Sequence, residues 1–101
     1  MKPRLDIYEV IWRYKFVEKL ADKHQVSTDE VEAVLMGSPF VRFWEKGQTV
    51  GEDLYVAYGQ TNAGRYLVVF FILKPQHMAL PISARDMTNS ERRYYNGQKA
   101  R

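Results

Sequence analysis

The chain has 101 residues and a formal charge of +3, and 46% of its residues are hydrophobic. This composition is typical of a folded protein, and the length predicts a single domain over residues 1–101. Cysteine is absent, which excludes disulfides, thiolate metal sites and cysteine nucleophiles. With only two histidines in the chain, we expect neither a bound metal nor a cofactor.

Nothing in the hydropathy pattern predicts contact with a membrane. The longest apolar run, residues 66–73, is far shorter than the ~20 residues that a helix needs to span a bilayer. The first residues lead into no apolar segment of the kind found in secretory signals. We therefore expect a soluble, cytoplasmic protein.

Charge is distributed unevenly along the chain. Residues 1–59 carry 8 basic and 10 acidic side chains, whereas residues 60–101 carry 7 basic and 2 acidic side chains. A basic C-terminal half points to a polyanionic partner such as nucleic acid. A solvated basic edge without a partner explains the same asymmetry equally well.

The N-terminal part of the chain predicts one strand and two helices. Residues 5–12 alternate imperfectly between apolar and polar and predict a strand. Over residues 14–24 the apolar side chains recur at helical spacing. Ser27 and Glu30 form a capping box that begins a second helix, and Gly37 predicts a left-handed cap at its end.

The C-terminal part predicts four strands and a short helix. The strands fall at residues 40–45, 54–58, 65–74 and 78–84. The third is almost entirely apolar, as central strands are, and Pro81 predicts that the fourth is an edge strand or bulged. Gly64 suits a hairpin turn with positive φ, and Thr88 with Glu91 forms a second capping box, for a helix to about Asn96. Short loops between consecutive strands predict an antiparallel meander with the helices on one face, an α+β fold.

The segment from Ile82 to Tyr95 resembles the C-terminal signature of BrnT-type ribonuclease toxins. That signature is an Ile-Ser-Ala-Arg strand end, a threonine, and a helix with Glu-Arg and a tyrosine. The matching residues are Ile82, Ser83, Ala84, Arg85, Thr88, Glu91, Arg92 and Tyr95. Weaker matches are Lys23-His24, Gly51-Glu52 and residues 59–65, so the resemblance covers about residues 12–95.

The resemblance implies both a fold and a function. The fold is RelE-like, with an antiparallel four-stranded (possibly five-stranded) sheet, two N-terminal helices and a short C-terminal helix. The function is that of the toxin in a type II toxin–antitoxin system, an endoribonuclease that needs no metal and inhibits translation. Its partners are an RNA substrate and a cognate BrnA-like ribbon-helix-helix antitoxin that neutralises it.

The resemblance also implies the catalytic residues, which are Arg85, Arg65, His24, Lys23 and Tyr95. Cleavage through the 2′-hydroxyl needs a base, an acid and cations that stabilise the charged phosphorane. Arg85 ends a predicted strand beside a capped helix start, where a guanidinium and free N–H groups both favour phosphate. Structural roles are possible for the same residues: Arg85 pairs with Asp86 or Glu91, and Lys23 and His24 end a helix whose dipole favours cations.

Arg92, Arg93 and Tyr94 form a basic and aromatic cluster that predicts RNA binding. Tyrosine rings stack on unpaired bases while arginines hold phosphates. On a helix, residues 92 and 95 share one side and residue 94 points elsewhere. We therefore expect one of the two tyrosines to lie in the core, and Glu91 to cap the helix.

Two other functions compete with this interpretation. A catalytically degenerate RelE-fold protein would bind an antitoxin or nucleic acid without cleaving it. Asp53-Leu54 and Leu80-Pro81 favour that alternative, because the family commonly has arginines close to these positions. An interaction domain whose terminal motif only stabilises the fold would pair Arg85 with Glu91, and it would show no salt-dependent affinity for RNA.

Overall fold

A computed structural model describes residues 6–99 of the chain. Five strands and three helices follow one another with two short helical turns between them. In chain order they are β1 (Glu9–Val10), α1 (Tyr14–Lys19), a π-helical turn (Leu20–His24), α2 (Thr28–Met36), β2 (Phe40–Glu45), β3 (Leu54–Gln60), β4 (Tyr66–Lys74), a 3₁₀ turn (Pro75–His77), β5 (Met78–Asp86) and α3 (Asn89–Lys99). The predicted α+β class and element order are confirmed.

The five strands form one sheet in the order β1-β5-β4-β3-β2. β2 to β5 are the predicted antiparallel meander, and the apolar β4 is the central strand. β1 adds a fifth strand, parallel to β5, and pairs only through Glu9 with Met78 and Val10 with Ala79. The strand predicted over residues 5–12 is therefore much shorter than expected, and residue 5 lies outside the described residues.

β5 contains a bulge beside its proline. Pro81 and Ser83 lie opposite consecutive residues of β4, so Ile82 is an extra residue in β5. Proline has no N–H to donate, and β1 pairs with β5 only before this point, which confirms the predicted edge or bulge. The bulge also shifts the alternation of side chains, so that Ala79 and Ala84 belong to the same core cluster.

The two faces of the sheet are covered by different helices. Helices α1 and α2, with the π-helical turn, pack on the covered face, whose buried residues include Leu20, Val31, Leu35, Ala57, Leu67, Val69 and Phe71. Helix α3 covers the opposite side, called here the α3 face, where its Tyr95 forms a second buried cluster with Val56, Tyr58, Val68 and Met87. The prediction that all helices share one face is wrong, because β3 and β4 are apolar on both sides and both sides need cover.

Both predicted capping boxes are present. Ser27 Oγ accepts the Glu30 N–H at 3.1 Å, and Glu30 Oε1 accepts the Ser27 N–H at 3.0 Å. Before α3, Thr88 Oγ1 accepts the Glu91 N–H at 3.2 Å, and Glu91 Oε1 accepts the Thr88 N–H at 2.8 Å. Each box satisfies backbone donors that a helix start leaves unpaired. Helix α3 continues to Lys99, beyond its predicted end.

Of the two glycines predicted to have a left-handed backbone conformation, only one has it. Gly64 has a φ of +91°, as the predicted hairpin turn requires. Gly37 follows α2 with a φ of −80°, so the predicted left-handed cap is wrong. A Cβ at Gly37 would lie 2.8 Å from the Ala33 carbonyl oxygen, so close backbone approach explains the glycine there.

Candidate functional site

Arg65 lies just before β4 and is surrounded by acceptors from three parts of the chain. Its Nε and Nη2 donate to the Asp86 carboxylate at 2.7 and 3.1 Å, and Nη1 donates to both Glu30 oxygens at 3.1 and 3.2 Å. The carbonyls of Gln25 and His24 accept further bonds at 2.9 and 3.3 Å. These five residues, the Arg65 cluster, join the end of the π-helical turn to α2 and β5.

The Arg65 cluster holds more negative than positive charge at neutral pH. The hydrogen bond from Arg65 lowers the pKa of Asp86. The pKa of Glu30 is lowered chiefly by the Ser27 N–H and further by Arg65. Both carboxylates are therefore ionised beside a single guanidinium. Arg65, Glu30 and Asp86 together therefore carry one positive and two negative charges.

Arg85 is the penultimate residue of β5 and lies on the α3 face, opposite Val68. Its Nη1 and Nη2 donate to the two Glu91 oxygens at 2.7 and 3.0 Å, and Nη1 also donates to the Asp86 carbonyl at 3.1 Å. This bidentate bond to Arg85 is the main reason that the pKa of Glu91 is lowered. The pairing that the sequence offered as a structural role for Arg85 is therefore present.

The predicted catalytic residues fall into three different settings. Arg65 and His24 meet in the Arg65 cluster, where His24 contributes its backbone carbonyl, and Lys23 is exposed at the end of the same π-helical turn. Arg85 belongs to a separate pair with Glu91, although it directly precedes Asp86 in β5. Tyr95 is only 7% exposed and belongs to the core.

The two tyrosines of α3 have different surroundings, as the helical spacing predicted. Tyr95 meets the Tyr66 ring edge-on at 6.1 Å, and burial raises the pKa of its hydroxyl. Tyr94 is half-buried and contacts the rings of Phe40 and Tyr58 at 5.7 and 5.5 Å. One tyrosine in the core, with Glu91 as the helix cap, is confirmed.

Three arginines of the α3 face each lie over an aromatic ring. The Cζ-to-centroid distances are 5.0 Å for Arg42 over Tyr94, 5.8 Å for Arg85 over Phe70, and 4.3 Å for Arg92 over Tyr66. The Trp44 ring meets Phe70 edge-on at 5.4 Å and is 51% exposed. This arginine and aromatic surface can stack bases and hold phosphates. The predicted RNA-binding residues Arg92 and Tyr94 belong to it, and Arg93 is exposed beside it on α3.

The sequence analysis missed two residues of this surface, Arg42 and Trp44. Both lie in β2, where period-two alternation places them on one side and Phe43 on the other. Phe43 meets Tyr55, which packs against the covered-face core, whereas Trp44 meets Phe70 of the α3 face. Alternation was therefore the signal in the sequence that could have identified both residues.

Within residues 6–99, no group of three or more His, Asp or Glu side chains is arranged to hold a metal ion.

The fold and this surface define a small α+β domain in which arginines and aromatic rings share one face of a five-stranded sheet. A family model described as "Ribonuclease toxin, BrnT, of type II toxin-antitoxin system" matches residues 12–91. The chain belongs to this family of toxins, as the C-terminal signature indicated. Membership makes an antitoxin the expected partner. None of the described helices is long and apolar enough to cross a membrane.

A solved structure agrees with the family assignment. The chain is similar to the crystal structure of the Brucella abortus ribonuclease toxin BrnT, with a TM-score of 0.59 and 20% sequence identity. The match covers 80% of this chain and 97% of the Brucella chain. At this identity the likeness establishes the shared fold. No curated protein matches the chain by sequence.

Proposed function

We propose that this chain is a cytoplasmic endoribonuclease toxin. It would cleave RNA without the help of a metal ion and thereby inhibit translation. A cognate BrnA-like ribbon-helix-helix antitoxin would neutralise it. The observation that carries the proposal is the set of three arginines stacked on rings across the α3 face. Family membership supports the same function.

RNA would lie along the α3 face as a single strand. The exposed Trp44 ring offers a stacking platform for an unpaired base. Arg42 and Arg92, which both lie on the Tyr66 side of Trp44, would hold phosphates along the strand of RNA. Arg93 and Tyr94 would extend the same surface along α3. Residues 60–101 would attract RNA electrostatically because they carry 7 basic and only 2 acidic side chains.

Cleavage would proceed by transesterification at one phosphodiester. The 2′-oxygen attacks phosphorus, the bond to the 5′-oxygen breaks, and the products are a 2′,3′-cyclic phosphate and a 5′-hydroxyl. A base takes the 2′-hydroxyl proton and an acid gives a proton to the leaving oxygen, each contributing roughly 10²–10⁴-fold. In this proposal Arg85 and Arg65 stabilise the charge on the phosphorane, and His24 and Lys23 serve proton transfer. Tyr95 would position the Tyr66 ring rather than touch RNA, because it is buried against that ring.

A second function, binding without cleavage, is favoured by a specific observation. Both predicted catalytic guanidiniums are already hydrogen-bonded to the protein itself, Arg85 by Glu91 and Arg65 by Asp86 and Glu30. Cleavage requires at least one of these pairs to exchange a carboxylate for phosphate. A protein in which neither pair opens would keep its RNA-binding or antitoxin-binding surface and lose the chemistry.

The test is cleavage of single-stranded RNA by purified protein in EDTA. The wild type is compared with two variants, Arg85→Ala and Glu91→Gln. Both substitutions break the ion pair, but Glu91→Gln leaves Arg85 in place and keeps an acceptor oxygen for the helix cap. The comparison therefore separates a role of Arg85 on RNA from a role in folding.

We expect the wild type to cut, Arg85→Ala to lose at least about tenfold in rate, and Glu91→Gln to keep most of the activity. Equal losses in both variants would mean that the pair is structural. Binding of RNA by the wild type without any cutting would support the second function.

A further inference from the structure

We propose that the cavity between Arg65 and Arg92 is a phosphate subsite for RNA, and that Asp86 occupies the Arg65 guanidinium until RNA displaces it. The proposal rests on the proposed function in that its ligand is RNA, but it concerns binding and does not require cleavage. Asp86 would act as a built-in competitor of the substrate, which lowers the affinity of the resting protein for RNA.

The cavity lies between the hairpin turn before β4 and the start of α3. Its volume is about 330 Å³, and it is lined by Gly64, Arg65, Tyr66, Asp86, Met87 and Arg92. That volume is at the small end of ligand pockets and suits a phosphate with part of its ribose. Two guanidiniums and one carboxylate therefore share a single small cavity.

Arg92 is available to bind an anion. Its guanidinium lies over the Tyr66 ring at 4.3 Å and, after Asn96, lowers the pKa of the Tyr66 hydroxyl by a side-chain hydrogen bond. A guanidinium has five N–H groups, so others remain to bind an anion. Within residues 6–99 it forms no ion pair with a carboxylate. Arg92 thus contributes an unneutralised positive charge to the cavity wall.

Asp86 holds Arg65 in the way that a phosphate would. Its two oxygens accept from Nε and Nη2 of Arg65 at 2.7 and 3.1 Å, the bidentate geometry that guanidinium offers to carboxylate and phosphate alike. The Asp86 side chain is 63% exposed, so water screens its pair with Arg65 and competes for the carboxylate. A phosphodiester that also gains Arg92 can therefore replace it. Glu30 and the Gln25 carbonyl would still hold Nη1 of Arg65 in place, and the His24 carbonyl would still accept from Nη2.

The first experiment measures binding of a fluorescent 2′-O-methyl RNA of about ten nucleotides, which cannot be cleaved through the 2′-hydroxyl. Asp86→Asn is compared with the control Glu9→Gln, which removes the same charge. Glu9 pairs with Met78 at the opposite end of β5 from Asp86, so only the local effect differs. We expect Asp86→Asn to raise the affinity about three- to fivefold at low salt, and Glu9→Gln to change it little.

The second measurement is the salt dependence of binding, between about 50 and about 200 mM salt. The slope of log K against log salt is negative, and loss of one phosphate contact makes it less steep by about 0.7 for a single strand. We expect this change for Arg92→Ala and a smaller one for the control Lys46→Ala. Lys46 follows β2, at the end of the sheet away from Tyr66.

The outcomes separate this inference from the proposed function. Equal effects of Asp86→Asn and Glu9→Gln, or an unchanged salt slope in Arg92→Ala, would overturn the subsite even if the protein cuts RNA. A wild type that does not bind the oligonucleotide would overturn it as well. Binding with the expected variant effects but without cleavage of natural RNA would support the subsite and contradict the ribonuclease.

Discussion

Alternate residues of the same strands face opposite sides of the sheet, and the two sides differ in how deeply their side chains are buried. On the covered face, β4 contributes Leu67, Val69 and Phe71 to a core that excludes water completely. On the α3 face the same strand contributes Phe70, which stays half-buried under Arg85 and beside Trp44. The comparison teaches that most of the buried side chains, and with them most of the stability, belong to the covered face, although Val56, Tyr58 and Val68 are buried on the α3 face as well. The other face keeps rings and guanidiniums within reach of a ligand.

The largest expected effect is the loss of stability from truncating Phe71. The Phe71 ring is fully buried on the covered face, so Phe71→Ala should lower the free energy of unfolding by about 3–5 kcal/mol. Phe70→Ala, one residue away on the α3 face, should cost clearly less because that ring is only half-buried. Urea unfolding of the two variants measures the difference. Equal losses would contradict the division between the faces.

The next effect concerns RNA and two neighbouring rings of β2. Trp44 and Phe43 are similarly exposed, at 51% and 55%, but they project from opposite faces. Trp44→Ala should weaken RNA binding by about 1–3 kcal/mol, or fivefold and more, because a base loses its stacking partner. Phe43→Ala is the matched control and should leave the affinity nearly unchanged. Fluorescence titration with single-stranded RNA checks this prediction. A larger effect of Phe43→Ala than of Trp44→Ala would mean that RNA does not bind on the α3 face.

The smallest effect is the contribution of the Arg85 pair to stability, which should depend on pH. Arg85 lowers the pKa of Glu91 below its ordinary 4.5, so the pair stabilises the folded protein above about pH 4.5. That contribution disappears as the pH falls through the lowered pKa of the folded state. We expect Glu91→Gln to be less stable than the wild type by about 0.2–1 kcal/mol at pH 7. The gap should narrow in urea unfolding as the pH falls below 4.5, and a gap that stays the same over that range would contradict the assignment.

The elements that the sequence predicted well depend on local signals. The capping boxes at Ser27 and Thr88 and the apolar run of β4 each lie within one element, and the structure contains all of them. The cap at Gly37 and the place of α3 were predicted wrongly. The place of α3 is decided by contacts between distant parts of the chain, because it depends on which sheet face still needs cover. Gly37 is a local feature whose signal has a different cause, since close approach to the Ala33 carbonyl and not a positive φ explains the glycine.

The same distinction applies to the candidate site. Arg85 and Glu91 are six residues apart, and their pairing was foreseeable from the sequence. Arg65 meets Glu30 across 35 residues, and no pattern in the sequence indicates that contact. The ring partners of Arg42 and Arg92 likewise come from other strands and helices. A resemblance to a family supplied the names of candidate residues, but their partners depend on tertiary packing.

The bulge in β5 decides which face receives Arg85. Side chains alternate along a strand, so a single inserted residue exchanges the two faces for everything that follows it. Ile82 is that residue, and it precedes Arg85 by three positions. A β5 without Ile82 would direct Arg85 beneath α1 and α2 and Asp86 toward α3, with no change in either residue. The insertion of this one residue therefore decides whether a positive or a negative side chain lies at the rim of the α3 face.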